Sequence, residues 1–174
     1  MAAKLTGIPT LATARLVLRP LREADFPAFR DFLASPRSGF IGGPYSGWAA
    51  WGMFCHEIAC WDLFGHGGLL IERRQDGAAM GVVEINAGPL YPEPELGWTL
   101  YAGFEGQGYA TEAAAALLRW GFRTAGLVDI VSYCDPANSR SIAVARRLGG
   151  VLDPVAPRQD AEDLVFRYHP ADEA

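Results

Sequence analysis

Apolar positions along this chain recur with two periods, and the changes between them mark its elements. From Ala14 to Leu18 apolar and polar residues alternate and run into Pro20, predicting a first strand that ends at an edge or turn. Phe26, Phe29 and Leu33 recur at helical spacing within Glu23 to Leu33, and Pro36 closes that helix. Ser35 to Gly47, rich in Gly, Pro and Ser, is a loop. A second helix spans Trp48 to Phe64 and carries Trp48, Trp51, Phe54, Ile58 and Trp61; most of this aromatic stripe is expected in the core.

Strand periodicity then takes over. Gly68 to Arg73 and Met80 to Ile85 flank Gln75-Asp76-Gly77, whose Asp-Gly pair signals a hairpin. Glu95 to Leu100 is the next central strand, preceded by Pro92 and Pro94. Tyr109 to Ala125 is a helix with Ala113, Leu117, Leu118, Trp120 and Phe122 on its buried side. Ile130 to Cys134 is an apolar strand, and the helix Asn138 to Leu148 stops at Gly149-Gly150. Val151 to Tyr168 holds two short strands around a polar loop. Antiparallel strands followed by strand–helix–strand–helix predict an α+β fold with a parallel pair after the central strand. No repeat or linker interrupts residues 1–174, so one domain is expected.

Composition narrows the function. Lys plus Arg is 15 against 20 for Asp plus Glu, a net charge of -5. Nucleic-acid binding demands clustered basic side chains, and the arginines here are scattered around a single lysine, Lys4. Half the residues are hydrophobic, yet no run of about 18 apolar residues exists to span a membrane. The first residues lack an apolar signal core, so a soluble cytoplasmic protein is expected. Cys55, Cys60 and Cys134 match no zinc or redox spacing and read as buried thiols. His56, His66 and His169 form no i, i+4 pair, and neither a Ser-His-Asp nor a metal constellation stands out.

The richest local feature is the stretch from Glu95 to Glu112, where a strand runs through a turn containing Gly106 and Gly108 into a helix. Glycines let backbone N–H groups approach a ligand, and the helix N-terminus adds partial positive charge, an arrangement suited to phosphate or pyrophosphate. The same glycines also serve a purely structural tight turn. A dinucleotide-binding alternative wants a third glycine where Thr111 stands and an acid some 20 residues on. Asp129 meets that count, but it precedes its strand instead of following it. A P-loop is excluded, since no Gly-Lys-Ser/Thr is present.

Joined in order, several segments resemble the GCN5-related N-acetyltransferases, in particular the branch that includes the ribosomal-protein alanine and serine acetyltransferases. They are Ala14-Arg-Leu-Val-Leu-Arg-Pro, Glu95-Leu-Gly-Trp98, Gly106-Gln-Gly108-Tyr-Ala-Thr-Glu-Ala113, Asn138-Ser-Arg-Ser141 and Arg147-Leu-Gly149. The resemblance implies a mixed sheet of six to seven strands, splayed at its centre and flanked by about four helices, with acetyl-CoA in the cleft. It implies that Trp98, Thr99 and Leu100 pair with the pantetheine. It places the pyrophosphate on Gly106, Gln107, Gly108, Tyr109, Ala110 and Thr111. Asn138 would reach the pantetheine and Arg147 the 3′-phosphate.

Direct acetyl transfer to an amine requires a base, an oxyanion donor and an acid for the thiolate. Glu95 is the first candidate base and Glu84 the second; Ser141 is the candidate acid, since Ala145 stands where many relatives have a tyrosine. One departure is Glu105, where the family usually has Gln or Arg, so its carboxylate must face solvent or pair with an arginine. One or two of the tryptophans would line the acceptor pocket. The expected acceptor is a primary amine, on a protein N-terminus or a small molecule, and a homodimer fits the low surface charge. A non-catalytic acyl-CoA sensor is the alternative, kept open by Glu105 and Ala145.

Overall fold

Alternating strands present two apolar faces, and both must be covered for the sheet to leave water. In the computed structural model, which describes residues 7–170, one mixed sheet does so. Its strands are β1 (Leu11–Ala12), β2 (Leu16–Pro20), β3 (Gly68–Arg73), β4 (Ala79–Asn86), β5 (Glu95–Leu100), β6 (Ile130–Cys134), β7 (Val151–Leu152) and β8 (Leu164–Tyr168). They lie in the order β1-β2-β3-β4-β5-β6-β8-β7. The helices are α1 (Phe26–Leu33), α2 (Gly47–Phe64), α3 (Tyr109–Arg123) and α4 (Ser139–Arg147).

Helix α3 covers one face. Its Ala113, Leu117 and Trp120 join Leu69, Ile71, Val83, Ile85 and Leu96 in the larger core. Helices α1 and α2 cover the other, where Phe29, Leu33, Ala50 and Phe54 pack on Leu70 and Val82. Among the described residues no helix is long and apolar enough to cross a membrane.

The sheet has eight strands, more than the six to seven expected, because β1 is a two-residue strand too short to show a period, while β7 and β8 are the two short strands expected after Gly150. The first helix starts later than its apolar spacing suggests. Glu23–Asp25 form a 3-10 turn, and α1 begins at Phe26, with Pro27 tolerated in its first turn. In α2 apolar residues occupy every side, so the aromatic stripe does not define the buried face. Ala50, Phe54, Glu57 and Trp61 do, while Trp48 is 86% exposed, contrary to the expectation for the stripe.

The join between β5 and β6 positions the site. This parallel pair is in register at Glu95 and Val131, where the Val131 N–H donates to the Pro94 carbonyl at 3.0 Å. One step on, the Ser132 hydroxyl donates to the Leu96 carbonyl at 2.5 Å. Beyond that point the strands part and leave a cleft between Gly97–Thr99 and Tyr133–Asp135, both of which line it.

Candidate active site

A cavity of about 510 Å³ opens at this divergence. Phe29 and Met53 from the helical layer close it over with residues 39–42, which end a 3-10 helix (Pro36–Ile41) capped by Ser35 where a plain loop was expected. Its polar character comes from strand register. Cross-strand partners share a face, so pairing of Glu84 with Gly68 and Gly97, and of Asn86 with Glu95, gathers these residues beneath α2. Helix α2 then lowers Glu57 onto the same patch, where it is only 7% exposed.

Two glycines make room for these carboxyl groups. A methyl group on Gly68 would stand 2.7 Å from Glu57 Oε2 and Cβ, and one on Gly97 would collide with Glu84 Oε1. The Asn86 side-chain amide donates to Glu57 Oε1 at 3.3 Å. Glu57 Oε2 and Glu84 Oε2 are buried without a hydrogen-bond partner, as is the hydroxyl of Tyr133 on the cavity wall.

Desolvation sets the protonation of the cluster. Burial pushes Glu95 up to about 7, helped by the charge of Asp163 and opposed by a hydrogen bond from the Tyr133 backbone. Burial likewise lifts Glu57 to about 8, with Asn86 opposing and the charge of Glu95 adding to the rise. Glu84 is raised well above the usual carboxyl range by burial and then by the charges of Glu57 and Glu95. Cys134 lines the cavity too, but burial pushes its thiol to about 12, so it is no ready nucleophile.

The far end of β5 leads into the glycine turn. Gly108 adopts φ 80° and caps α3, and Gly106 has φ 75°, both left-handed positions that favour glycine. The first intrahelical bond runs from the Glu112 N–H to the Gly108 carbonyl at 3.0 Å. The N–H groups of Tyr109, Ala110 and Thr111 precede it and point out of the helix N-terminus. Tyr109 contributes backbone only, for its ring is buried with the Arg15 guanidinium 4.4 Å above it. Arg15 also donates to the Gln107 carbonyl at 3.0 Å and pairs with Glu112 at 2.6 Å, which ties the turn to β2.

Glu105 does pair with an arginine. One oxygen accepts from the Gly103 N–H at 2.7 Å, and the other forms an ion pair with Arg37, which also donates to the Leu100 carbonyl at 3.0 Å. Slight burial works against ionisation, but N–H donors of the turn and the charges of Arg37 and Arg140 hold this carboxyl below its usual range. The carboxylate is thus neutralised beside the glycine turn.

Of the residues expected at the site, Glu95, Glu84, Trp98, Thr99, Asn138 and Ser141 line the one cavity. Asn138 caps α4 by accepting the Ser141 N–H at 3.1 Å. Leu100 and residues 106–111 continue from it along the turn. Arg147 is not brought to them; it lies exposed at the opposite end of α4. Asp129 is exposed at the start of β6, 3.6 Å from Arg167 and at the other end of the strand from the cavity, which removes its ribose-binding role. Sequence reasoning missed Glu57, Arg37 and Tyr133. The one available signal for Glu57 was an acid on the 50–54–57–61 spacing of an otherwise apolar helix. Arg37 carried none, since its partners Glu105 and Leu100 are distant in sequence, and Tyr133 none, since only the fold turns its hydroxyl into the cavity wall unpaired.

The family model described as an acetyltransferase (GNAT) domain matches residues 15–151. The crystal structure of an acetyltransferase from Agrobacterium tumefaciens str. C58 superposes with a TM-score of 0.92 at 59% identity, covering 94% of this chain and 96% of that one. RimL, a ribosomal-protein alpha-N-acetyltransferase solved with coenzyme A, superposes at 0.74 with 21% identity over 92% of this chain and 98% of its own, a likeness of fold. YnaD of Bacillus subtilis (strain 168), an uncharacterized N-acetyltransferase, is 38% identical over 55 residues, 32% of this chain and 32% of that relative's length. A central strand pair that parts over an N–H cradle, in a chain matched from 15 to 151, places this protein in the GNAT family of acetyltransferases.

Proposed function

We propose that this protein transfers the acetyl group of acetyl-CoA directly to a primary amine. The observation that carries the reading is Glu95, a cavity carboxyl raised to about 7 at the point where β5 and β6 part. A carboxyl poised there is half ionised near neutral pH and able to accept a proton from an incoming ammonium.

The residues fit the co-substrate. The parted edge of β5 from Trp98 to Leu100 offers backbone partners to the pantetheine, and the Gly106–Thr111 turn offers N–H groups to the pyrophosphate. Glu95 takes the proton of the ammonium, directly or through one water. The freed amine attacks the thioester carbon, N–C forms and C–S breaks; the nitrogen, now bearing a positive charge, sheds its second proton, and the Ser141 hydroxyl relays that proton to the departing thiolate and ends neutral. Asn138 orients the same segment. The acceptor is a small molecule or a protein N-terminus, and a cytoplasmic setting without a nucleic-acid partner suits the net charge of -5.

Release of CoA from acetyl-CoA in the presence of a panel of primary amines tests this. Glu95→Gln is expected to lower kcat by ~10²–10⁴, and Ser141→Ala by a smaller factor. Turnover unchanged in both variants would overturn the roles, and no CoA release with any amine would overturn the activity.

A further inference from the structure

The base and the cofactor cradle leave two buried acids unused. Glu57 and Glu84 meet at Gly68, which lies opposite Glu84 in the β3–β4 register and beneath the Glu57 side chain. Each keeps one oxygen without a partner, and both line the cavity. Asn86 fixes the other Glu57 oxygen at 3.3 Å, so the carboxyl is held in place, with burial favouring its protonated form until a cation arrives beside it. A buried carboxyl in that state is a receptor for a cation.

We propose that Glu57 and Glu84 form a second-cation subsite, and that the acceptor is a small diamine whose far ammonium they hold while its near amine faces Glu95. This rests on the acetyltransferase reading above. The spacing suits it: Glu84 is opposite Gly97, so Glu95 is its diagonal neighbour across the strands, about 7 Å away. A chain of three to five methylenes spans that gap. Phe29, Met53 and Val82 on the cavity wall cover the methylenes. Among the described residues no group of three or more His, Cys, Asp or Glu is arranged to hold a metal ion. A protein N-terminus brings one ammonium and leaves this pair unmatched.

The test is calorimetric titration of the CoA-saturated protein with 1,4-diaminobutane and with 1-aminobutane. The diamine is expected to bind at least tenfold tighter, and that preference is expected to collapse toward unity in Glu57→Gln and in Glu84→Gln. Glutamine at 57 retains the oxygen that accepts from Asn86, and each variant removes one carboxylate independently, so either one that melts normally suffices. A diamine that binds no tighter than the monoamine, or a preference that survives in both variants, overturns the subsite. Acetyl transfer to 1-aminobutane is read in parallel. Transfer without a diamine preference removes the subsite alone, and a diamine preference without transfer removes the activity and keeps the subsite.

Discussion

Glu95 and Glu84 were legible in the sequence because they sit on strands that alternation defines, whereas Glu57 was hidden in a helix whose apolar residues face every direction. What separates the three is environment, which no linear pattern carries. Glu95 titrates near 7, so kcat/KM for an amine of fixed protonation is predicted to rise with pH through about 7, an acidic limb absent from whatever activity remains in Glu95→Gln. Glu105 yields a second prediction at this scale. With Arg37 removed, its carboxylate stands without its ion pair beside the turn proposed to hold the pyrophosphate. Arg37→Ala is therefore expected to raise the KM for acetyl-CoA several-fold, and adding Glu105→Gln to restore most of the loss. Equal and additive effects in that cycle would show that the two do not act as a pair. The sequence demanded either solvent or an arginine for Glu105; only the fold identifies which arginine, since 68 positions separate Arg37 from Glu105.

At the level of elements, β5 and β6 run over the residues their apolar runs predict, and α2, α3 and α4 come within two residues of expectation at each end. Boundaries were less legible where tertiary bonds intervene. Asp25 pairs with Arg19 at 2.9 Å and accepts the Arg22 N–H at 2.8 Å, which holds Glu23–Asp25 in a 3-10 turn before α1. The packing of α2 on β3 depends on Gly68. A methyl group there presses on Glu57 Cβ as well as its carboxyl, so the helix itself must shift. Gly68→Ala is predicted to destabilise the fold by roughly 1–3 kcal/mol, read as a lower denaturant midpoint with an unchanged slope. No change would mean that α2 is seated by Phe54 and Trp61 alone.

For the whole molecule, the parallel pair was legible from element order and a central splay from the family resemblance, but where the strands part, after Glu95 and Val131 and past the Ser132 bond to the Leu96 carbonyl, is seen only in the fold. The acid cluster beside that opening couples folding to pH. Glu57 at about 8 and Glu95 at about 7 bind protons more tightly in the folded chain than in the unfolded one, where a glutamate titrates near 4.5. Their contribution to stability is full below about 4.5 and is lost as pH rises through 7 and 8. The Tm is thus predicted to fall between pH 5 and pH 8.5, with a shallower fall in Glu57→Gln; a slope identical in the variant would remove Glu57 from the account. The central claim is that the opening between β5 and β6, with its N–H cradle, holds acetyl-CoA. The most direct measurement is a thermal shift with acetyl-CoA, CoA, NAD and ATP in parallel. At about 100 times its dissociation constant a ligand adds ~2.7 kcal/mol, a rise of roughly 5–10 °C for a chain of this size. A rise with acetyl-CoA and CoA, and none with NAD or ATP, is the predicted result; no rise with either thioester or thiol would contradict it and leave the glycine turn a structural feature.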